Sequence, residues 1–162
     1  MIWLKSKASP GDDGVKLIAT NKKAFHEYFI LEKLEVGIVL QGSELRPCRE
    51  GQVNLKEAFV EADNGEMWLI GVNIGANPFS NRFAHDSTRK RKLLAHKNQI
   101  VKLAYKTETS GNTLVPLRMY FRHGRAKVEI GLVKGKKLYD KRESIAKKDQ
   151  QRQLDRELSG RD

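Results

Sequence analysis

The pattern of apolar and polar positions begins with a long segment typical of a β-strand. Residues 28–40 are rich in aromatic and β-branched side chains, and polar residues interrupt them at intervals. Gly37 within this segment predicts a bulge or sharp bend of the kind that curves a sheet into a barrel. We interpret residues 43–48 as a short helix that Ser43 caps and that ends before Gly51.

Two pairs of apolar segments, each joined by a short polar turn, predict two β-hairpins. The turns are Asp63-Asn64-Gly65 and Arg122-His123-Gly124, and Asn-Gly between apolar runs is a strong hairpin signal. The first hairpin joins residues 53–62 to 66–74, and the second joins residues 114–121 to 125–133. The second pair alternates with period two, Pro116 favours an edge or strand-start position, and the Trp68 strand is apolar enough for burial.

The period changes in residues 86–105, where apolar residues at helical spacing predict a helix with Asp86 or Ser87 as its N-cap. Residues 96–98 break the pattern and favour two helices, and residues 77–81 form a loop. The order of elements predicts a mainly β fold with a few helices, an OB-like closed antiparallel β-barrel. Many such barrels bind nucleic acid, but this analogy of fold does not establish a function.

Composition divides the chain into three parts. We interpret residues 1–18 as a flexible N-terminal arm, residues 19–133 as the barrel and residues 134–162 as a basic C-terminal tail. The sparse apolar residues of the tail give no continuous helical stripe, although Glu143 and Lys147 are spaced for a favourable helical pair. We predict a tail that is disordered when free and helical when RNA neutralises its charge.

The formal net charge of +11 points to a polyanionic partner. The alternative is a basic protein whose charge serves solubility alone. Cys48 is the single cysteine, which excludes a disulfide within one chain and fits a reducing, cytoplasmic location. We expect no membrane span and no secretory signal, because no apolar run has the required length.

Two basic clusters carry the candidate chemistry. Arg89-Lys90-Arg91-Lys92, with Arg82 and His85 upstream, lies at the start of the predicted helix, where phosphate would relieve the unfavourable helix dipole. The alternative interpretation is a solvated helix face. In the second cluster, residues 134–142, five of the nine residues are Lys or Arg, and Tyr139 among them offers a face for stacking on a base.

Further candidates lie on the first long strand and just before it. His26 and Tyr28 are either stacking surfaces or ordinary structural residues, whereas Phe29 is expected in the core. Glu35 lies beside the Gly37 bend. Because carboxylates do not attract phosphate, the residues alone favour a surface strand position for Glu35.

Catalytic interpretations find little support, so we expect a protein that is not an enzyme and that has no cofactor or metal. The histidines lack metal-ligand spacing, and neither a phosphate-binding loop nor a nucleophile elbow is present. One alternative stays open, a magnesium-dependent nuclease whose carboxylates would be Asp63, Glu66, Asp86 and Glu129.

Several segments resemble the SmpB family, the SsrA-binding proteins of bacterial trans-translation. The most specific is Lys127-Val-Glu-Ile-Gly-Leu-Val-Lys-Gly-Lys-Lys-Leu-Tyr-Asp-Lys-Arg. The other matching segments are residues 21–30, 35–44, 49–56, 81–86, 88–94 and 114–117, and the resemblance covers about residues 19–158.

The resemblance implies an OB-like barrel that binds the tRNA-like domain of transfer-messenger RNA (tmRNA). It implies a tail that enters the small ribosomal subunit, contacts its rRNA at the vacant decoding centre and folds as a helix in the empty mRNA channel. It also implies a ribosome-rescue adaptor, with EF-Tu in the delivery complex through the charged RNA. A general OB-type protein that binds single-stranded or ribosomal RNA is the alternative.

By motif match, the resemblance implies two sets of contact residues. The RNA-binding set on the barrel is Asn21, His26, Tyr28, Glu35, Arg91, Lys92, Lys127 and Lys134. The ribosome-binding set in the tail is Lys136, Lys137, Tyr139, Asp140, Lys141, Arg142 and Ile145. Here the resemblance alone assigns RNA importance to Glu35. Phe25 stands where many relatives have arginine, and the last residues lack a terminal lysine cluster.

Overall fold

The computed structural model describes residues 14–75 and 86–160, and for residues 138–140 the backbone only. Within these ranges the chain forms a mainly β structure with helices between and after the strands. The strands are β1 Val15–Thr20, β2 Tyr28–Ile38, β3 Val53–Asn54, β4 Phe59–Asp63, β5 Glu66–Ile70, β6 Asn73–Ile74, β7 Arg91–Leu94, β8 Thr113–Arg122 and β9 Arg125–Gly135. The helices are α1 Lys22–Glu27, α2 Gly42–Arg49, α3 Lys97–Ser110 and α4 Leu138–Ser159.

Seven antiparallel strands form one sheet in the order β1-β8-β4-β5-β7-β2-β9, and β9 also pairs with β8. This last pairing closes a ring of the six strands from β8 to β9, with β1 attached to β8 outside the ring, and the ring confirms the OB-like barrel. Two of the strand pairings are short. Strand β4 pairs with β8 only between Val60 and Leu114, and β2 pairs with β7 only through Gly37 and Ile38. The barrel is therefore not strictly closed.

Both predicted hairpins are present, and each has a two-residue turn. Asn64 and Gly65 have positive φ angles of 50° and 73°, and His123 and Gly124 have 50° and 75°. These angles suit the tight turns whose twist matches that of the flanking strands. Each hairpin alternates inward and outward side chains, so that Met67 and Leu69 of β5 are buried in the main core. Trp68 between them is only partly buried.

The prediction for residues 86–96 is wrong, because this segment contains a strand and not a helix. Arg91 and Leu93 of β7 are buried while Lys92 and Leu94 are not, which is the period of a strand. The helix α3 begins at Lys97 and is capped by a reciprocal pair between His96 and Gln99, at the break that the sequence indicates. Asp86 and Ser87 are therefore not its cap, and residues 77–81 lie outside the described ranges.

Smaller corrections concern strand and helix ends. Residues 15–18 belong to β1, which pairs with β8, so the predicted arm extends too far, and residues 1–13 lie outside the described ranges. Pro116 lies inside β8 next to a bulge, and not at an edge. Helix α2 is capped by Gln41 in place of Ser43. Phe29, expected in the core, is 44% exposed.

The tail forms the 22-residue helix α4, whose described side chains are mostly exposed. Two residues separate it from β9, which extends to Gly135, past the predicted boundary at residue 133. The Lys136 backbone N–H donates to the Glu27 carbonyl (2.9 Å), and the Lys136 Nζ donates to the Ser144 hydroxyl (3.2 Å). The structure thus has a helix where disorder of the free tail is expected.

Candidate nucleic-acid interface

The strands β2, β9 and β8 present one continuous charged surface outward from the barrel. Directly paired residues share a face of a sheet, and the register places Glu35 opposite Glu129, Tyr120 opposite Lys127, and Arg122 opposite Arg125. We call this surface the charged face. Its members are Lys33, Glu35, Arg118, Tyr120, Arg122, Arg125, Lys127 and Glu129.

Glu35 lies in the middle of the charged face and is held from one side. Its Oε2 accepts a hydrogen bond from Arg122 Nη1 at 2.8 Å and another from the Tyr120 hydroxyl. Burial raises the pKa of Tyr120, and the hydrogen bond to Glu35 raises it further, so this hydroxyl stays protonated as a donor. The Glu35 side chain is one-third exposed, which leaves part of it open to a ligand.

A groove of about 420 Å³ runs beside Glu35 and is lined by Gly37, Leu94, Ala95, His96, Gln99 and Lys127 as well. A Cβ atom at Gly37 would lie 3.3 Å from the Leu94 Cβ, so glycine allows β2 and β7 to approach closely here. Leu94 is 54% exposed at the rim. An apolar rim beside a carboxylate, an imidazole and an ammonium group suits an unstacked base.

A second part of the surface surrounds α1. Asn21 is buried and caps this helix, because its Oδ1 accepts from the Ala24 N–H (3.1 Å) and its Nδ2 donates to the carbonyls of Leu55 (3.1 Å) and Pro116 (2.9 Å). His26 is exposed and Tyr28 half-buried. Asn21 therefore supports this region and has little surface to offer to a ligand.

Phe25, at the position where many relatives have arginine, lies between two cations. Lys33 Nζ and the Arg118 guanidinium carbon each lie 5.8 Å from its ring centroid. Both distances are within the range of cation–π attraction. Arginine-type charge is thus still present here, supplied by the two neighbouring strands.

The predicted basic cluster at residues 89–92 is not an open phosphate patch. Arg91 is fully buried, and its guanidinium donates to Glu44 Oε1 and to backbone carbonyls, including that of Val72. Every cation of the cluster is near a carboxylate: Arg89 and Arg91 pair with Glu44, Lys90 with Glu61, and Lys92 with Glu66. Arg91 therefore offers no surface to a ligand, whereas the side chain of Lys92 is partly exposed.

The predicted tail positions begin beside the barrel. Lys134 and Lys137 are exposed, and Lys136 Nζ lies 5.2 Å above the ring of Phe29. Along α4, Lys141 is half-buried, whereas Arg142 and Ile145 are exposed. The side chains of Tyr139 and Asp140 lie outside the described ranges, as do Arg82 and His85.

Sequence reasoning missed three residues of this candidate surface, namely Leu94, Tyr120 and Arg122. The alternation of the second hairpin places Tyr120 and Arg122 outward, but their partner Glu35 is 85 and 87 residues away in the chain. Leu94 was interpreted as part of a helix.

A metal site or a membrane span finds no support in the described residues. Three or more His, Cys, Asp or Glu side chains nowhere gather there as metal ligands would, and Glu129 lies on the charged face away from the hairpin of Asp63 and Glu66. None of the helices in the described ranges is both long and apolar enough to cross a membrane.

Comparison with known proteins identifies the family. Residues 18–160 match a family model described as "SmpB protein". A protein named "SsrA-binding protein" from Sulfurihydrogenibium sp. is 53% identical over 146 residues, 90% of this chain and 96% of the relative. The protein of the same name from Carboxydothermus hydrogenoformans is 50% identical over 146 residues, 90% of this chain and 98% of the relative.

A solved structure agrees with these relatives. A chain described as "tmRNA-SmpB: a journey to the center of the bacterial ribosome" matches with a TM-score of 0.64 and 41% identity, covering 74% of this chain and 85% of that chain. The fold, the extent of the match and the level of identity all agree. This chain belongs to the SmpB family of SsrA-binding proteins.

Proposed function

We propose that this protein is the RNA-binding adaptor of trans-translation: it binds tmRNA and delivers it to stalled ribosomes. The observation that carries the proposal is membership of the SmpB family over nearly the whole chain, with a structural relative described as tmRNA-SmpB in the bacterial ribosome. The charged face supplies a surface that suits RNA. The role needs no chemical step, so the protein acts as a binding adaptor and not as an enzyme.

The barrel binds the tRNA-like domain of tmRNA through the charged face and the adjoining groove. Glu35 and Lys127 line the groove, and the neighbouring strands add the exposed Lys134 and the partly exposed Lys92, which is paired with Glu66. His26 and Tyr28 offer rings on the α1 side. Asn21 and Arg91 contribute by holding α1 and β7 in place, because both are buried.

The tail contacts the small ribosomal subunit. Its contact residues are Lys136, Lys137, Tyr139, Asp140, Lys141, Arg142 and Ile145, which reach the decoding centre and the empty mRNA channel. Fixing a mostly exposed helix costs conformational entropy, so the tail is ordered most firmly where the channel leaves room for it. This cost gives a physical reason why ribosomes that lack mRNA in the channel are preferred.

The delivery complex includes EF-Tu, which meets the protein through the charged tRNA-like domain. Such a complex assembles on ribosomes, so the protein acts in the cytoplasm.

Binding measurements over a salt series test the function. The full chain and residues 1–137 are compared on the tRNA-like domain of tmRNA and on an elongator tRNA. We expect both proteins to prefer the tRNA-like domain, with an affinity that falls steeply as salt rises because phosphate contacts release counterions. Equal affinity for both RNAs at every salt concentration would contradict the proposal and favour a general OB-type RNA-binding protein.

A further inference from the structure

Arg122 occupies an unusual place on the charged face. It is the last residue of β8 and lies directly opposite Arg125 across the two-residue turn. Two cations opposite each other on a hairpin are destabilising unless an anion lies near them. Glu35 provides one anion, at 2.8 Å from Arg122 Nη1. The charged face as a whole carries five cationic side chains against the carboxylates of Glu35 and Glu129, so its net charge is positive.

The guanidinium of Arg122 is oriented but not saturated. Nη1 donates to Glu35, whereas Nε is buried without a partner and Nη2 meets no acceptor in the described part of the chain. The guanidinium carbon lies 5.8 Å from the Tyr120 ring centroid, and the side chain is 38% exposed. Because Nη1 donates to Glu35 and Nη2 meets no acceptor in the described part of the chain, the guanidinium can bind the carboxylate through Nη1 and a phosphate through Nη2 at the same time.

Glu35 has little reason to contact RNA phosphates itself. A carboxylate repels phosphate, and within the described residues the Glu35 side chain accepts two hydrogen bonds, both at the same oxygen, Oε2, and both from protein donors. Tyr120 supplies the second donor to this oxygen from the same strand, β8, so Tyr120 and Arg122 together fix the position of the carboxylate. Glu35 therefore acts as a carboxylate that positions the guanidinium of Arg122.

We propose that Arg122 is a phosphate-binding residue of the RNA interface and that Glu35 and Tyr120 are its positioning residues. This inference rests on the proposed function, because it explains how a glutamate contributes to the RNA-binding site. It adds Arg122 to the interface and gives Glu35 an indirect role.

The test uses the full chain and a transcript of the tRNA-like domain of tmRNA. Arg122→Gln keeps a donor for Glu35 but removes the charge. We expect its affinity to fall about tenfold and the slope of log K against log salt to become shallower by about one. Arg46→Ala, an exposed arginine on α2, loses the same charge and is expected to keep the wild-type slope. An unchanged affinity and slope for Arg122→Gln would overturn the inference.

A double-mutant cycle tests the indirect role of Glu35. If Glu35 acts through Arg122, Glu35→Gln lowers affinity in the wild-type background but has little further effect in Arg122→Gln. Tyr120→Phe is expected to follow the same pattern with a smaller loss. A full additional loss from Glu35→Gln in the Arg122→Gln background would overturn the indirect role.

Two controls separate the possible causes of a loss. Melting curves of each variant identify a fold defect, and Arg122→Lys, which restores the charge, is expected to restore the salt slope. A slope that stays shallow in a folded Arg122→Lys protein would overturn a phosphate contact. The preference of the wild type for tmRNA over an elongator tRNA tests the proposed function separately. The affinity of Arg122→Gln relative to that of the wild type tests the role of Arg122, and it can be measured on either RNA.

Discussion

At the scale of single residues, the buried ion pair between Glu44 and Arg91 is the most consequential contact outside the RNA interface. Both side chains are fully buried, and Glu44 accepts hydrogen bonds from Arg89, Arg91 and the Gln41 N–H. These contacts tie α2 to β7, the strand that carries the groove residue Leu94. A buried pair of this kind matters most when one partner is removed, because the other charge is left uncompensated.

We predict that Glu44→Gln lowers the free energy of unfolding by about 3 kcal/mol at neutral pH. The reason is that two guanidinium groups lose their common counter-charge inside the protein. Urea unfolding measures the change. Glu50→Gln, at an exposed position on the same helix, is the matched control and is expected to change stability by less than about 1 kcal/mol. Equal effects of the two substitutions would contradict the prediction.

The same carboxylate predicts how stability depends on pH. Burial by itself raises the pKa of Glu44, but the hydrogen bonds from Arg89, the Gln41 N–H and Arg91 outweigh it, so the net pKa is lowered. A lowered pKa in the folded state gives stability that is present above the unfolded pKa of about 4.3 and is lost as pH falls through the folded value. We expect wild-type stability to fall more steeply below about pH 4 than that of Glu44→Gln, as measured by melting temperature across pH.

Gly71 supplies another prediction at this scale. Its φ is +81°, and a Cβ atom there would lie 2.9 Å from the Glu57 carbonyl oxygen, which is backbone and cannot rotate away. We expect Gly71→Ala to destabilise the protein by about 2 kcal/mol. Gly42→Ala is the control, because nothing lies within 4 Å of the added atom at the start of α2. A melting temperature of Gly71→Ala equal to that of Gly42→Ala would contradict this account.

At the scale of elements, α4 differs from every other described helix in its lack of packing. Its side chains are mostly exposed, and its pairs Glu143–Lys147 (3.0 Å) and Asp149–Arg152 (4.0 Å) are surface pairs of small value. A helix with so few tertiary contacts depends on propensity alone, which leaves it marginal in water. The sequence pattern, with no apolar stripe, already indicates this weak attachment.

We predict that removing residues 138–162 lowers the helical signal in far-UV circular dichroism but changes the melting temperature of the barrel by less than about 3 °C. Every residue of the barrel core precedes α4, so the burial of the core is unaffected. In the full chain, amide exchange should be fast along α4 and slow in β8 and β9. Protection of α4 equal to that of the strands would contradict the prediction.

The elements also mark the limit of sequence-based prediction. The two hairpins are predictable because turn chemistry and alternation are local signals, as Asn64 and Gly65 illustrate. Strand β7 is not, because it is only four residues long and buries Arg91, a charged residue in a core position. Its charge is acceptable only because Glu44 lies beside it, 47 residues away in the chain.

The candidate site follows the same division. The alternation along the second hairpin places Tyr120 and Arg122 outward, and the family motif marks Glu35. Neither signal predicts that these three residues are in contact. Their meeting depends on the register between β2, β9 and β8, which only the folded barrel sets. Local pattern thus finds which residues face outward, whereas tertiary pairing decides which of them act together.

At the scale of the whole molecule, the excess positive charge is divided between two surfaces. The charged face belongs to the rigid barrel, whereas the cations of α4 belong to a helix that few contacts hold. A folded RNA domain is suited to the first surface, since preformed contacts lose little entropy on binding. The mRNA channel of the ribosome, which mRNA occupies only part of the time, is suited to the second surface, α4. An adaptable segment enters the channel only where mRNA leaves it free.

This division predicts that the two activities separate by mutation. Lys136→Ala with Tyr139→Ala should keep binding to the tRNA-like domain within about threefold, because the barrel surface is unchanged, but should abolish tagging on stalled ribosomes. Glu35→Gln is the reciprocal variant and should weaken binding to the tRNA-like domain. Because its tail is intact, a high protein concentration should restore tagging. Binding to the tRNA-like domain and a tagging reaction on ribosomes stalled without mRNA in the channel measure the two activities. Loss of RNA binding in the tail variant would mean that the segment from Lys136 to Tyr139 belongs to the primary RNA site, since Lys136 already lies against Phe29 of the barrel.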